Sequence, residues 1–454
     1  MVAALPMFGQ SVSRLTLREA LERALKVNNT VERARAEVNV AELNRQLLLS
    51  NVLPRINATG NLIRNSQEVS FGSGADARTI LAQNDWSYRV VMSQPLYAGR
   101  REFRAYSQAL LGITNAQQTQ AQTEDAVLLR VASNYLAAAN ADARMQIEKR
   151  NIEVATKRRD QANAFYQAGE STKVDVLRAE TSIKAAQRQL AVAQQNREEA
   201  VSRLRADLDL DGSIEVTTSM ADMPSTPDEA TLVSRAESTR PDVAVAQNNV
   251  QIAHLEVQKQ RGFWLPTVTF DGGYINQKAQ FPTPHYSYGA LRFTVPILQS
   301  GEVEARVATA KEKEYEAKLA LEDAKVGARE DVRTALSALR EAETALGLAK
   351  DQLAAAEAEY NQVFELYRAQ EATSLDVATS ETSLADARRA VAEETLNRDL
   401  AEIRVWYAAG AMRDAVGALN SSGGQAPPPA PQPTADGQAG RLSPTGNANG
   451  VIHE

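Results

Sequence analysis

The chain has 454 residues, of which 24% are charged, and a formal net charge of −7 with acids and bases mixed along its length. No basic stripe is available to track a phosphate backbone, which argues against a nucleic-acid partner. Cysteine is absent, which excludes disulfides, thiolate metal sites and a cysteine nucleophile. Aromatic residues are 5% of the chain and alanine is abundant, a balance that suits long, closely packed helices.

In chain order, the opening MVAALPMFGQSVS is too short for a signal peptide and lacks its basic start. A helix is expected over about 30–53, then strands at 56–65 and 86–94, within about 55–97. A long helix follows over 99–168, and a return helix over 172–206. These form a first structural repeat at 1–206. Residues 207–229 connect it to a second repeat at 230–409. That repeat reads helix (about 241–263), strands at 267–276 and 286–295 (within about 266–297), long helix 301–369 and return helix 373–409. From about Gly410 the chain turns to Gly, Pro, Ala, Ser and Gln, and a disordered tail is expected over 410–454. The halves align throughout: Leu53-Pro54 answers to Leu265-Pro266, and Tyr166 through Val176 to Tyr367 through Val377.

The second long helix carries Val332, Leu339, Leu346, Leu353, Tyr360 and Tyr367 at seven-residue spacing. Ala335, Ala342, Ala349 and Ala356 run beside them. This is a heptad seam flanked by small residues, and it implies left-handed coiling of closely approaching helices. Each long helix would span on the order of 100 Å at 1.5 Å per residue.

No run of about eighteen apolar residues occurs, so no membrane-spanning helix is expected. The four strands each have roughly the length of a tilted strand crossing a bilayer, and those at 86–94 and 286–295 alternate apolar with more polar residues. Val90, Met92, Phe270, Leu291 and Phe293 fall on apolar, lipid-facing positions in that reading. Trp86 and Tyr88, with Phe281, Tyr286 and Tyr288, cluster near strand ends as an aromatic girdle would. Asp271 and Arg292 are either lumen residues or polar positions near a strand end. A soluble sheet of two hairpins with one buried face has the same pattern. Four strands, however, cannot close a membrane barrel, whose smallest members have about eight. Open edges are not tolerated in lipid. If the strands span a membrane, several chains share one barrel, and a trimer would supply twelve strands.

The two helix-to-helix turns read YQAGESTKVDV and YRAQEATSLDV. Thr172 with Asp175, and Thr373 with Asp376, fit a capping box that opens each return helix. No metal-ligand spacing involves His254, His285 or His453, no GxxxxGK[ST] nucleotide loop occurs, and no GxSxG nucleophile motif occurs. No catalytic residue, metal or cofactor is expected, and the chain is not read as an enzyme.

The duplicated order of elements, the paired Leu-Pro sites, the Pro-to-Gly strand exits at 95–99 and 296–301, and the tip pattern at 166–176 resemble the TolC-like outer-membrane efflux proteins. The resemblance covers roughly residues 14 to 410. It implies a mainly helical chain with membrane β-structure. In the family's assembly, a homotrimer forms a twelve-stranded barrel in the outer membrane of a Gram-negative bacterium. A helical coiled-coil tunnel continues the barrel into the periplasm. It also implies a passive exit duct for drugs, small molecules or secreted proteins. The partners would be outer-membrane lipid, a periplasmic adaptor and an inner-membrane pump or ABC secretion ATPase. Asp175 and Asp376 would then ring the constriction, competing with their capping role, within a periplasmic turn formed by Tyr166, Gly169, Thr172, Tyr367 and Thr373. Such a ring would favour cations, and crowding would raise some of the carboxyl pKa values. The second turn departs from the family at Gln370, Ala372 and Thr379, so the gate would be held by fewer polar ties. The alternative reading is a soluble structural coiled-coil protein.

Overall fold

In a computed structural model, residues 13–72, 74, 77–212, 214–216, 226–279 and 283–418 are described. The first half contains β1 (Ser13–Leu15), α1 (Leu17–Val27), α2 (Asn29–Ser50), β2 (Arg55–Arg64), β3 (Val69–Phe71), β4 (Arg78–Leu81), β5 (Asn84–Ala98), α3 (Arg101–Gln167) and α4 (Lys173–Leu208). The second contains β6 (Ile214–Val216), α5 (Glu229–Thr239), α6 (Pro241–Arg261), β7 (Thr267–Gln277), β8 (His285–Thr294), α7 (Glu302–Arg368), α8 (Ser374–Ala408) and α9 (Met412–Ala418). No helix among the described residues is long and apolar enough to cross a membrane.

The two long helices have 67 residues each, and α3 packs against α2, α4, α6 and α8 while α7 packs against α5, α6 and α8. Each long helix therefore lies beside two shorter ones set end to end. The heptad seam faces inward: Val332, Leu339, Ala342, Ala349 and Ala356 of α7 are buried, as are Val377 and Leu384 of α8. The main core sits at the waist of the rod, where the middle of α3 (Val127, Leu128, Val131, Tyr135) meets Leu21, Leu204, Leu232, Val332 and Ile403. There the Tyr135 hydroxyl donates to the Leu15 carbonyl at 2.9 Å and ties β1 to α3. The strands β1 and β6 pair in parallel and bring the start of the chain to the link between the halves.

Three features depart from the sequence expectation. Helix α9 continues the ordered chain past residue 410, because Met412 and Ala415 extend the apolar core that Ala409 and Ala411 begin. The rest of the expected tail, residues 419–454, lies outside the described residues, as does Phe281. Strand β5 is longer than expected, at 15 residues, and an extra hairpin, β3–β4, rises beyond the sheet.

The junction between sheet and helices requires close backbone approach. Gly99 has φ +66°, and a Cβ there would lie 2.2 Å from the Gly262 carbonyl oxygen at the end of α6. A Cβ on Gly262 would in turn meet the Gly99 oxygen at 2.5 Å. Gly301, which precedes α7 as Arg100 precedes α3, also has positive φ, at +84°, but has open space around it. Gly99→Ala is therefore expected to cost about 2 kcal/mol or more, from strained backbone plus displacement of the contact. Gly301→Ala should cost only the backbone share. Thermal melting of the purified protein checks the order, and equal losses would refute the contact at Gly99.

Candidate channel surfaces and periplasmic turn

The main sheet has the order β2-β5-β7-β8, antiparallel throughout, and both outer strands leave one edge unpaired within the chain. All residues of β2 are exposed, and nearly all of β8. Because partners across a ladder share a face, the register sorts every side chain. One face carries Ile56, Ala58 and Leu62 of β2 with Trp86, Tyr88, Val90 and Met92 of β5. It continues through Val268, Phe270 and Tyr274 of β7 to Leu291 and Phe293 of β8. The five residues expected at lipid-facing positions and the girdle candidates Trp86 and Tyr88 all lie on this side. The other face carries Asn57 and Thr59, Arg89 and Ser93, Thr269 and Asp271, and Arg292. Asp271 accepts from the Ser93 hydroxyl at 2.7 Å and pairs with Arg292 at 3.4 Å.

The girdle expectation divides. Trp86 and Tyr88 stack on the apolar face with ring centroids 5.9 Å apart, and the Asn276 side chain donates to the Tyr88 hydroxyl at 2.8 Å. Tyr286 and Tyr288 lie on the polar face instead, since the pairing of Tyr274 with Ser287 gives the apolar side to the odd-numbered residues of β8. Tyr288 lies across Gly273, where a Cβ would come within 3.0 Å of the ring.

At the opposite end of the rod the two helical hairpins turn. Both turns end the long helix with the same paired backbone hydrogen bonds. Glu170 N donates to Phe165 O and Gly169 N to Tyr166 O; Glu371 N donates to Leu366 O and Gln370 N to Tyr367 O. This motif needs a left-handed residue, which is Gly169 (φ +77°) in one turn and Gln370 (φ +64°) in the other. A side chain in that conformation costs on the order of 1 kcal/mol. Gln370 gains a contact in exchange: its amide donates to Glu170 of the first turn at 2.6 Å.

Both return helices open on capping boxes. Asp376 Oδ2 accepts from the Thr373 amide at 2.9 Å and from the Thr373 hydroxyl at 2.6 Å. Asp175 Oδ2 accepts from the Ser171 and Thr172 hydroxyls, each at 2.9 Å. Asp175 Oδ1 accepts from the Ser374 hydroxyl of the other hairpin. Gln370 and Ser374 of the second turn both reach across to the first, so the two turns are tied to each other within the chain. Among the described residues, Thr379 bonds only to its own helix, at the Leu375 carbonyl. Tyr166 is exposed, whereas Tyr367 is buried edge-to-face against Phe165 with centroids 5.4 Å apart.

Within one chain the carboxyl pKa values at the turn are lowered by hydrogen bonds to the charged form. The Ser374 hydroxyl holds Asp175 below the usual carboxylate range, helped by Ser171 and Thr172. The Thr373 hydroxyl and amide do the same for Asp376. Donors to the charged form outweigh any repulsion within one chain.

Higher along the hairpins a polar ladder joins α3 to α8. Arg158, 2% exposed, pairs with Glu381 at 2.8 Å and donates to Ser182 of α4 at 3.2 Å. Arg389 pairs with the buried Glu148 at 2.7 Å, and Arg144 with Glu393 at 3.1 Å. Burial pushes the Glu381 carboxyl up, and Arg158 opposes that shift. The sequence gives no local sign of this ladder, because its partners are more than two hundred positions apart. Among the described residues, no group of acids and histidines has the arrangement of a metal site.

Two outcomes follow from this geometry. Asp175 and Asp376 are held below their ordinary values, so the stability they add is present above the ordinary carboxylate range and is lost as pH falls through their lowered values. Amide protection factors at 170–180 and 371–381, taken against the intrinsic rate at each pH, should fall on acidification below about pH 4, and flat protection down to pH 2 would refute the capping account. Removing the partner of a buried arginine should be costlier: Glu381→Ala is expected to lose about 3 kcal/mol, with Glu381→Gln losing less. Chemical denaturation of the two variants checks that ranking.

The chain matches the family described as outer membrane efflux protein over residues 20–208 and 232–411. It is 24% identical over 402 residues to the pyoverdine export outer membrane protein OpmQ of Pseudomonas aeruginosa, covering 86% of this chain and 84% of that one. It is 21% identical over 385 residues to the outer membrane efflux protein BepC of Brucella suis, covering 83% and 81%. Among solved structures, CusC superimposes with a TM-score of 0.74 at 17% identity, over 87% of this chain and 91% of that chain. The open-state MtrE outer membrane channel of Neisseria gonorrhoeae gives 0.71 at 20% identity, over 87% and 89%.

Proposed function

We propose, from the premise that this chain belongs to the outer membrane efflux protein family, that it is the passive exit duct of a tripartite export assembly. It is an outer-membrane efflux channel with the TolC-like fold, of a non-enzymatic family, placed in the outer membrane of a Gram-negative bacterium. Channels of this family form trimers. The finer reading concerns how this chain builds the duct, what opens it and what it passes.

The observation that carries it is the open-edged sheet with one apolar and one polar face. Three copies of the four strands β2-β5-β7-β8 make a twelve-stranded barrel in which β8 of one copy pairs with β2 of the next. Trp86, Tyr88, Val90, Met92, Phe270, Leu291 and Phe293 then meet lipid, and Asp271 and Arg292 meet water in the lumen. The helical rods continue that lumen through the periplasm, and their turns narrow it. A soluble coiled-coil protein would have no use for two unsatisfied strand edges beside an exposed apolar face.

Opening is dilation of the turns. Nothing in the chain hydrolyses a nucleotide, so the work comes from a periplasmic adaptor and an inner-membrane pump or ABC secretion ATPase. Export of small molecules is favoured over protein secretion, since both relatives named above are termed export or efflux proteins. Asp175 and Asp376 from three copies ring the constriction and favour cations while it is narrow.

In planar bilayers, Asp175→Ala combined with Asp376→Ala is expected to raise single-channel conductance severalfold. It should also raise sensitivity to a large antibiotic in cells that make the variant. Unchanged conductance from a correctly assembled trimer would sink the constriction reading.

A further inference from the structure

We propose that Arg89 is a charge-selecting residue of the exit: with its symmetry copies it forms an uncompensated ring of positive charge midway along the barrel, which favours anionic cargo. The inference rests on the reading that the polar face of the sheet lines the lumen.

The register isolates Arg89 from every acid on that face. Its own row across the sheet is Thr59, Arg89, Ile275 and Tyr286. The row on the periplasmic side is Asn57, Val91, Gly273 and Tyr288. The row on the outer side is Asn61, Ser87 and Gln277. None of these neighbours is charged. Two acids lie on the polar face, and both are two rows away. Asp85 accepts from the Trp86 amide at 2.9 Å. Asp271 is already held by Ser93 at 2.7 Å and by Arg292 at 3.4 Å. Arg292 and Asp271 cancel each other locally, whereas among the described residues no hydrogen bond or ion pair engages the exposed Arg89.

An arginine with a partner would be read as a structural brace for the sheet. Arg89 has no such role, and its guanidinium is free to meet a solute. It is always charged and presents a planar fork that matches carboxylate, sulfonate and phosphate groups. The Debye length is about 8 Å at physiological ionic strength, so the ring acts on solutes that pass close to the wall. Bulky organic anions that fill the lumen should feel it more than chloride does. Tyr286 and Tyr288 line the same stretch of wall and offer aromatic surface to the apolar part of such a solute. The exit then has two charge stations of opposite sign: acids at the periplasmic turn and arginine in the barrel.

The test is ion selectivity of reconstituted trimers. Reversal potentials are measured across gradients of potassium chloride and potassium gluconate, in the wild-type background and in the Asp175→Ala/Asp376→Ala background. Arg89→Glu is expected to raise the cation-to-anion permeability ratio by roughly twofold or more, with the larger change for gluconate. Arg89→Lys should stay near wild type. If Arg89→Glu fails to give a heat-modifiable trimer, Arg89→Gln is measured instead, with a smaller change of the same sign. A permeability ratio unchanged in both backgrounds overturns the inference. The lumen reading is checked separately with Arg89→Cys, which a chain without cysteine makes a single labelling site. Modification by a bulky water-soluble thiosulfonate should lower its conductance, and the same treatment of Val90→Cys should not. If only Val90→Cys responds, the lumen reading fails and the inference with it.

Discussion

The unpaired backbone along β2 and β8 governs the rest of the molecule. A strand edge facing water can bond to solvent, but one in hydrocarbon cannot, and each unmet group there costs several kcal/mol. One chain has two such edges and four strands, too few to curl back on itself. Closure through neighbouring copies satisfies both edges at once. The helical part must then obey the same symmetry, because α3 follows β5 directly (Ala98 to Arg101) and α7 follows β8 after a short segment (Thr294 to Glu302). The large exposed apolar residues of α2 (Val40, Leu43, Leu47) and of α7 (Tyr315, Leu319, Val326) follow from that requirement. Within one chain they have no partner surface, while a ring of rods gives each helix a neighbour on either side.

The duplicated plan does not make the halves interchangeable. Helix α3 packs between both hairpins and buries charged residues such as Arg158 and Glu148, whereas the buried positions of α7 are apolar. The first half is therefore tied to the second by polar contacts along α8, and α7 is held chiefly by its alanine-flanked seam. At the junction with the sheet, Gly99 meets Gly262 of the same chain, but Gly301 meets nothing within it.

Much of this was legible in the sequence because its causes are local. Heptads in α7, capping residues at 172–176 and 373–377, and alternation in the strands each depend on residues a few positions apart. The long and return helices accordingly fall within three residues of where the pattern puts them. The Arg158–Glu381 pair, the parallel β1–β6 contact and the docking of α9 are long-range, and nothing in Arg158 or Met412 alone marks them. The misplaced girdle had a different cause. Tyr286 and Tyr288 lie near a strand end as expected, but the alternation that puts Leu291 and Phe293 on the apolar face gives these even-numbered residues the opposite one, and the pairing of β7 with β8 keeps that phase.

The same comparison separates the two aspartates that the sequence treats as equivalent. Asp175 has both carboxylate oxygens engaged, Oδ2 by its own turn and Oδ1 by Ser374 of the other hairpin. Asp376 uses Oδ2 for its cap, and among the described residues no hydrogen bond reaches its Oδ1. Capping and lining the pore compete for oxygen lone pairs only where both oxygens are taken. At Asp376 the two roles fit together: one oxygen closes the helix while the other faces solvent. At Asp175 the charge is spent on holding the hairpins to each other, so exposing it to the pore requires the Ser374 contact to part. That contact joins the very elements whose separation would widen the tip. In the proposed constriction, Asp376 would be the standing source of negative charge, and Asp175 would contribute as the turns move apart.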